Sequence, residues 1–179
     1  EILQELEYGV DQLNKLTNYL LDYALPIHFE PLPASVGEMV QNALERLNIP
    51  AERIAVHKRL LTDPDPILVG KEKMVQALSN IIQNSVEAMP QGGDIWVKSR
   101  FIRDKKTAML AISDSGKGVP REILLRLTEP FFTTKADGKG LGLSISKKII
   151  RAHKGNLRIS SKEDEGTTVR ILLPAQPSS

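Results

Sequence analysis

The sequence has no cysteine in its 179 residues, which excludes disulfides and thiolate metal sites. That suits a reducing compartment such as the cytosol. No apolar run approaches the ~18–20 residues a membrane-spanning helix needs, and no signal peptide heads the chain. The expected location is cytoplasmic, a setting compatible with a membrane-anchored parent protein. No long basic run occurs and the net charge is only +2, so neither nucleic acid nor membrane is expected as a partner of this segment. The P-loop pattern GxxxxGK[ST] is absent too, which removes the most familiar nucleotide-binding signature.

What remains is an ordinary globular mixture, 41% hydrophobic and 26% charged, long enough for one domain with an appendage. The appendage comes first. In "EILQELEYGVDQLNKLTNYLLDYA", Leu3, Leu6, Val10, Leu13, Thr17, Leu20 and Ala24 recur at alternating spacings of three and four. That spacing predicts one long helix whose seam needs a partner, either its own domain or a helical bundle. The helical start at Glu1 reads as that of a fragment. Residues 26–33, with Pro26, Pro31 and Pro33, read as an extended linker.

The following pattern is mixed. Helix is expected from about Ala34 to Leu47, capped by Ser35, and again from Lys71 to Met89. Strands are expected at "RIAVHKRL", at "ILVG" after the "DPDP" break, and in the hairpin "DIWVKSRFI"/"TAMLAIS". "REILLRL" and "GLGLSISKKIIRAH" read as helices, and "NLRISS" and "TTVRILL" as closing strands. The expected class is α+β, a two-layer sandwich with helices on one face of a mixed, mostly antiparallel sheet, preceded by the long N-terminal helix. Residues 34–174 would form the globular domain, and 175–179 a frayed tail.

Two glycine-bearing loops stand out. "DSGKG" contributes Gly116 and Gly118, and "GKGLGLS" contributes Gly138, Gly140 and Gly142. Each leads toward a helix, where glycine admits close backbone approach and free amides attract phosphate. "GKGLGL" follows a loop without period rather than a strand, which argues against a dinucleotide fingerprint. The helix "NIIQNSVEAM" sets Asn80 and Asn84 one turn apart, with Glu87 three residues on.

The order of these parts resembles the N, G1, F, G2 and G3 boxes of the ATP-binding domain of sensor histidine kinases. These belong to the wider group that includes type II topoisomerases, heat-shock chaperones and mismatch-repair ATPases. The resemblance covers roughly residues 34–174. It implies that Asn84 is a Mg²⁺ ligand and that Asp114 accepts a hydrogen bond from adenine. Gly116 and Gly118 would bend the backbone beside the base. Phe131 and Phe132 would anchor a lid, and Gly138, Gly140, Leu141 and Gly142 would wrap the triphosphate. Thr167 would help hold adenine, directly or through water. Lys135 and Lys139 sit in the implied lid, each as a phosphate partner or a solvated lysine. Lys139 departs from the small hydroxyl residue often found at its place. Glu87 would take hydrogen bonds from metal-bound water or stand as a helix-end carboxylate.

The implied activity is transfer of the γ-phosphoryl group of Mg-ATP to a histidine, within two-component signal transduction, with Asn80, Asn84 and Lys135 as the catalytic set. Hydrolysing relatives of the wider group place a glutamate base where this chain has Asn80, and an amide has no useful basicity near neutral pH. His28, His57 and His153, the three histidines of the sequence, lack the family's acceptor pattern of a helical His-Glu/Asp followed by Asn-Pro. The acceptor helix would therefore lie outside this sequence, with residues 1–25 as the second helix of a dimerisation unit. Partners would be that histidine-bearing helix, a response regulator and a second copy. A free-standing ATPase and a non-catalytic nucleotide scaffold remain as alternatives.

Overall fold

A computed structural model describes residues 2–60, 67–135 and 138–175. The "DPDP" break at 63–66 and the tail 176–179 lie outside the described residues.

Helix α1 runs Ile2–Ala24. Its seam residues Leu3, Leu6, Val10, Leu13 and Leu20 are exposed. The lower end of α1 meets α5 (Gly142–Ala152), where Lys148 Nζ donates to the carbonyls of Tyr23 and Leu25. A cation is thus placed on the negative end of the α1 dipole.

The segment expected to be pure linker is partly sheet. Leu32–Ala34 forms β1, antiparallel to β3 (Ile67–Val69). Pro33 is tolerated because this is a two-stranded ribbon with an open edge. Ser35 then caps α2 (Val36–Glu45), its hydroxyl accepting from the Glu38 N–H at 3.5 Å. Val36, Met39, Val40 and Ala43 make the buried stripe of that helix, the i, i+3, i+4, i+7 spacing of one face.

The main sheet has five strands in the order β2-β4-β5-β7-β6. These are β2 Ile54–Leu60, β4 Gly93–Ile102, β5 Thr107–Asp114, β6 Asn156–Lys162 and β7 Gly166–Pro174. The β2–β4 pair is parallel and the other three pairs are antiparallel. Strand alternation buries Ile95 and Val97, Leu110 and Ile112, and Val169, Ile171 and Leu173. The alternate residues Lys98, Arg100, Arg158 and Arg170 are exposed.

Three helices cover the buried side. Helix α3 (Lys71–Glu87) lies between α2 and α5 and contributes Met74, Val75, Ala77, Leu78, Ile81 and Ile82 to the core. Helix α5 answers with Ile145, Ile149 and Ile150, all fully buried; each such side chain contributes roughly 1.5–3 kcal/mol of burial. Ser146 Oγ donates to the Ala77 carbonyl at 3.2 Å, so a small side chain lets the two helices approach closely. The short α4 (Arg121–Leu124) precedes the glycine-rich lid.

His153 is the C-cap of α5 and is buried. Its Nδ1 pairs with the Ile149 carbonyl at 2.7 Å, and its Nε2 accepts the Gly70 N–H at 2.9 Å. That fixes the neutral tautomer, with the proton on Nδ1. Phe29 stacks on the imidazole, ring centroids 3.8 Å apart, and a Cβ on Gly70 would lie 2.5 Å from Phe29. The proline-rich segment is thereby pinned to the start of α3. Burial lowers the His153 pKa below 6.5. This contribution is present above 6.5 and is lost as pH falls through the lowered value. His153→Leu should cost about 1–3 kcal/mol by orphaning the Gly70 N–H. Thermal unfolding from neutral to mildly acidic pH should show the variant losing less stability on acidification than the parent chain.

Candidate functional site

The C-terminal half of α3, the end of β5, the loop after it, the lid and the start of α5 enclose a cavity of about 460 Å³. Its lining includes Asn84, Asp114, Gly118, Lys135, Leu143 and Thr167. That size and mixture of apolar wall with a few convergent polar groups is typical of a small-molecule site.

Asp114 ends β5 opposite Thr167 of β7. Strand alternation turns it inward with Leu110 and Ile112, and it is 6% exposed. Its Oδ1 accepts the Gly116 N–H at 3.0 Å and the Thr167 N–H at 3.1 Å, and Ser85 donates to the carboxylate from α3. Burial raises the Asp114 pKa above 3.8, and the three donors oppose that rise. An ionised carboxylate offers about four acceptor sites, so three donors leave room for another from a ligand. Thr167 Oγ1 lies 2.9 Å from Ser161 Oγ, which holds its hydroxyl beside Asp114.

The loop after Asp114 is held by the β6–β7 turn. The Asp164 N–H donates to the Lys117 carbonyl at 2.8 Å, and Gly118 has φ +64° with the Lys162 carbonyl oxygen 2.0 Å from where a Cβ would be. Only glycine fits there. Gly142 differs: a Cβ would meet nothing closer than Asn80 and Asn84 at 3.8 Å. The protein's own packing does not demand glycine at the first turn of α5, so the space is free for a ligand. That first turn carries no acidic residue and no side-chain cap, leaving its amides available to an anion.

On α3, Asn84 Nδ2 donates to the Asn80 carbonyl at 3.0 Å, which aims Oδ1 away from the helix. Lys135 Nζ donates to that oxygen at 3.0 Å and also pairs with Glu87. Gln83 Nε2 holds the other Glu87 oxygen at 2.8 Å. Hard oxygens from an amide and a carboxylate suit Mg²⁺, which usually takes one or two protein ligands and completes its shell with phosphates and water. A cation already rests against Asn84 Oδ1, so the donor set fits a positive ion. Among the described residues there is no cluster of three His, Asp or Glu able to hold a metal alone.

Other expected residues fall less centrally. Asn80 Nδ2 donates to the Gly142 carbonyl at 3.3 Å, joining α3 to the start of α5. Phe131 is 58% exposed, has φ +64°, and meets Tyr23 of α1 edge-on at 6.3 Å. Core packing does not explain it. Phe132 lies under the Arg126 guanidinium, 4.3 Å from its centroid. A Cβ on Gly138 would lie 2.3 Å from Thr133 Oγ1, and one on Gly140 2.4 Å from the Phe131 carbonyl carbon, so both serve the lid's own fold. Leu141 is buried and Lys139 half-buried. Sequence reasoning missed Ser85, whose placement one residue from Asn84 gave no signal of its reach to Asp114. It also missed Arg126.

Residues 70–177 match the family described as histidine kinase-, DNA gyrase B-, and HSP90-like ATPase. The signal transduction histidine-protein kinase AtoS of Escherichia coli is 32% identical over 99% of this chain, which spans only 29% of AtoS. The mycobacterial sensor histidine kinase MprB superposes with a TM-score of 0.72 at 28% identity, covering 83% of this chain and 99% of that one. ShkA, solved full-length in complex with AMPPNP, shares the fold at a TM-score of 0.86 and 22% identity, over 99% of this chain and 39% of its own. The chain belongs to the histidine kinase-, DNA gyrase B- and HSP90-like ATPase family and carries the ATP-binding catalytic domain of a sensor histidine kinase.

Proposed function

We propose that the chain binds Mg-ATP in the Asp114–Asn84 cavity and presents its γ-phosphoryl group to a histidine borne on a helix outside this sequence. The observation that carries this reading is the pairing of a buried acceptor, Asp114, with the uncapped start of α5, whose Leu143 lines the same cavity. Asp114 takes the hydrogen bond of the adenine amino group, and Thr167 supports it. Gly116 and Gly118 bring the backbone beside the base, while the amides from Gly138 to Gly142 receive phosphate. Asn84 holds Mg²⁺ through Oδ1, and Glu87 accepts from its water shell. The bound metal neutralises phosphate charge. Lys135 and Lys139 supply further positive charge from the lid that Phe131 and Phe132 anchor.

Positioning and charge neutralisation carry most of the work in phosphoryl transfer. No side chain here needs to act as base toward a neutral imidazole acceptor, and Asn80 cannot activate water. Helix α1, with its exposed leucine seam, serves as the second helix of a dimerisation unit joined to a second copy. A response regulator receives the phosphoryl group afterwards. The relatives' status as signal-transduction kinases supports that order.

Mixing the chain with a separately produced acceptor-helix partner and γ-labelled ATP tests the proposal. Label should move to the partner's histidine. Binding without transfer favours a scaffold, and rapid phosphate release without partner favours an ATPase. Asp114→Ala should shrink the preference for ATP over GTP by roughly tenfold to a hundredfold, read by calorimetric titration. Gly142→Ala should leave the melting temperature nearly unchanged while ATP affinity falls about tenfold or more. The Asp114 carboxyl, raised by burial, contributes its stability fully only below 3.8 and loses it as pH climbs through the raised value. Asp114→Asn, which keeps an acceptor oxygen, should therefore melt higher than the parent chain near neutral pH, with the gap closing toward 3.8.

A further inference from the structure

Lys135 belongs to the lid, yet its ammonium reaches Asn84 and Glu87, 51 and 48 residues earlier in the chain. The lid backbone supports that reach. The Lys135 N–H donates to Thr133 Oγ1 at 3.1 Å, and its carbonyl accepts the Gly138 N–H at 3.2 Å. The receiving groups are equally prepared. Asn84 commits its nitrogen to the Asn80 carbonyl and Glu87 one oxygen to Gln83, so each has an oxygen turned to the lid.

We propose that Lys135 is an internal stand-in for the divalent cation: without nucleotide, its ammonium occupies the oxygen seat formed by Asn84 and Glu87 and holds the lid over α3. The inference rests on the reading of Asn84 as the metal ligand. An ammonium is a compact point charge that an oxygen seat accepts much as it accepts a small cation. It cannot share Asn84 Oδ1 with a doubly charged ion at contact distance, because like charges repel there. Metal entry therefore requires Lys135 to leave, and its departure frees the lid. The pair is about one third exposed, 34% for Lys135 and 40% for Glu87, so solvent screening keeps it weak enough to be displaced. Lys135 thus balances the Glu87 charge from the lid, and cation binding is coupled to lid release.

The test titrates Mn²⁺ into the full chain without nucleotide, following water-proton relaxation, beside hydrogen exchange of the lid amides. Lys135→Met should bind Mn²⁺ about fivefold more tightly than the parent chain, and adding Asn84→Ala should abolish that gain. Lys135→Arg should keep the parent's weak binding. Lid amides in nucleotide-free Lys135→Met and Glu87→Gln should exchange several-fold faster than in the parent, and the double variant no faster than either. Equal Mn²⁺ affinity in the parent and Lys135→Met, or uptake by neither, overturns the proposal, as does unchanged lid exchange. AMPPNP binding measured on the same samples separates the two readings. Its loss in the parent chain would defeat the ATP assignment, whereas intact AMPPNP binding with unaltered Mn²⁺ affinity would defeat only the stand-in.

Discussion

A carboxylate kept below the surface organises this molecule. Asp114 receives N–H groups from its own loop and from β7, and a hydroxyl from α3. Those donors come from three separate parts of the chain, so satisfying one buried charge fixes where the sheet, the loop and the helix meet. A buried carboxylate without such partners would shed its charge or unfold its surroundings. Here burial raises the pKa while the donors restrain it. The result is an acceptor that the fold itself has already desolvated and oriented.

From that anchor the cavity extends along α3 to the first turn of α5. The two ends offer opposite chemistry, a buried acceptor at Asp114 and the uncapped amides of α5, and the helix between them carries the oxygens of Asn84 and Glu87. Packing makes this arrangement rigid. Ile81, Ile82 and Ile145 are buried on the same helix pair, and Ser146 bridges the two backbones. A polar site built on helices held this closely keeps its geometry better than one built on loops.

Much of this was legible from residue order. The glycine loops stood out by composition, while Asn84 and Asp114 were singled out by the resemblance of the motif order to a known family, and the fold brings both to one cavity. Helices α2, α3 and α5 followed from period and caps. Contacts made across the chain were not legible. Strand β3 was expected at "ILVG", but its partner β1 is three residues long and holds a proline, too short for any period to register. His153 reads as an ordinary helix-end residue until Phe29 and Gly70 are brought to it over more than 80 residues of sequence. Lys135 sits in a segment without pattern, and its partners were visible only once α3 and the lid lay together. The sheet order, with one parallel pair among antiparallel ones, likewise depends on packing rather than on any local signal.

Asn80 shows how one packing contact constrains the choice of side chain. Its side-chain nitrogen donates to the Gly142 carbonyl, 62 residues later in the chain, at the turn where α5 begins. A glutamate there would turn a negative oxygen toward that carbonyl, setting acceptor against acceptor in a half-buried place. The helix pair would have to part, or the carboxylate would have to swing into the cavity. The amide fits because it can donate, and it lacks basicity for the same structural reason that it fits. Replacing that amide by a carboxylate would therefore require rebuilding the joint between α3 and α5 as well as changing one residue.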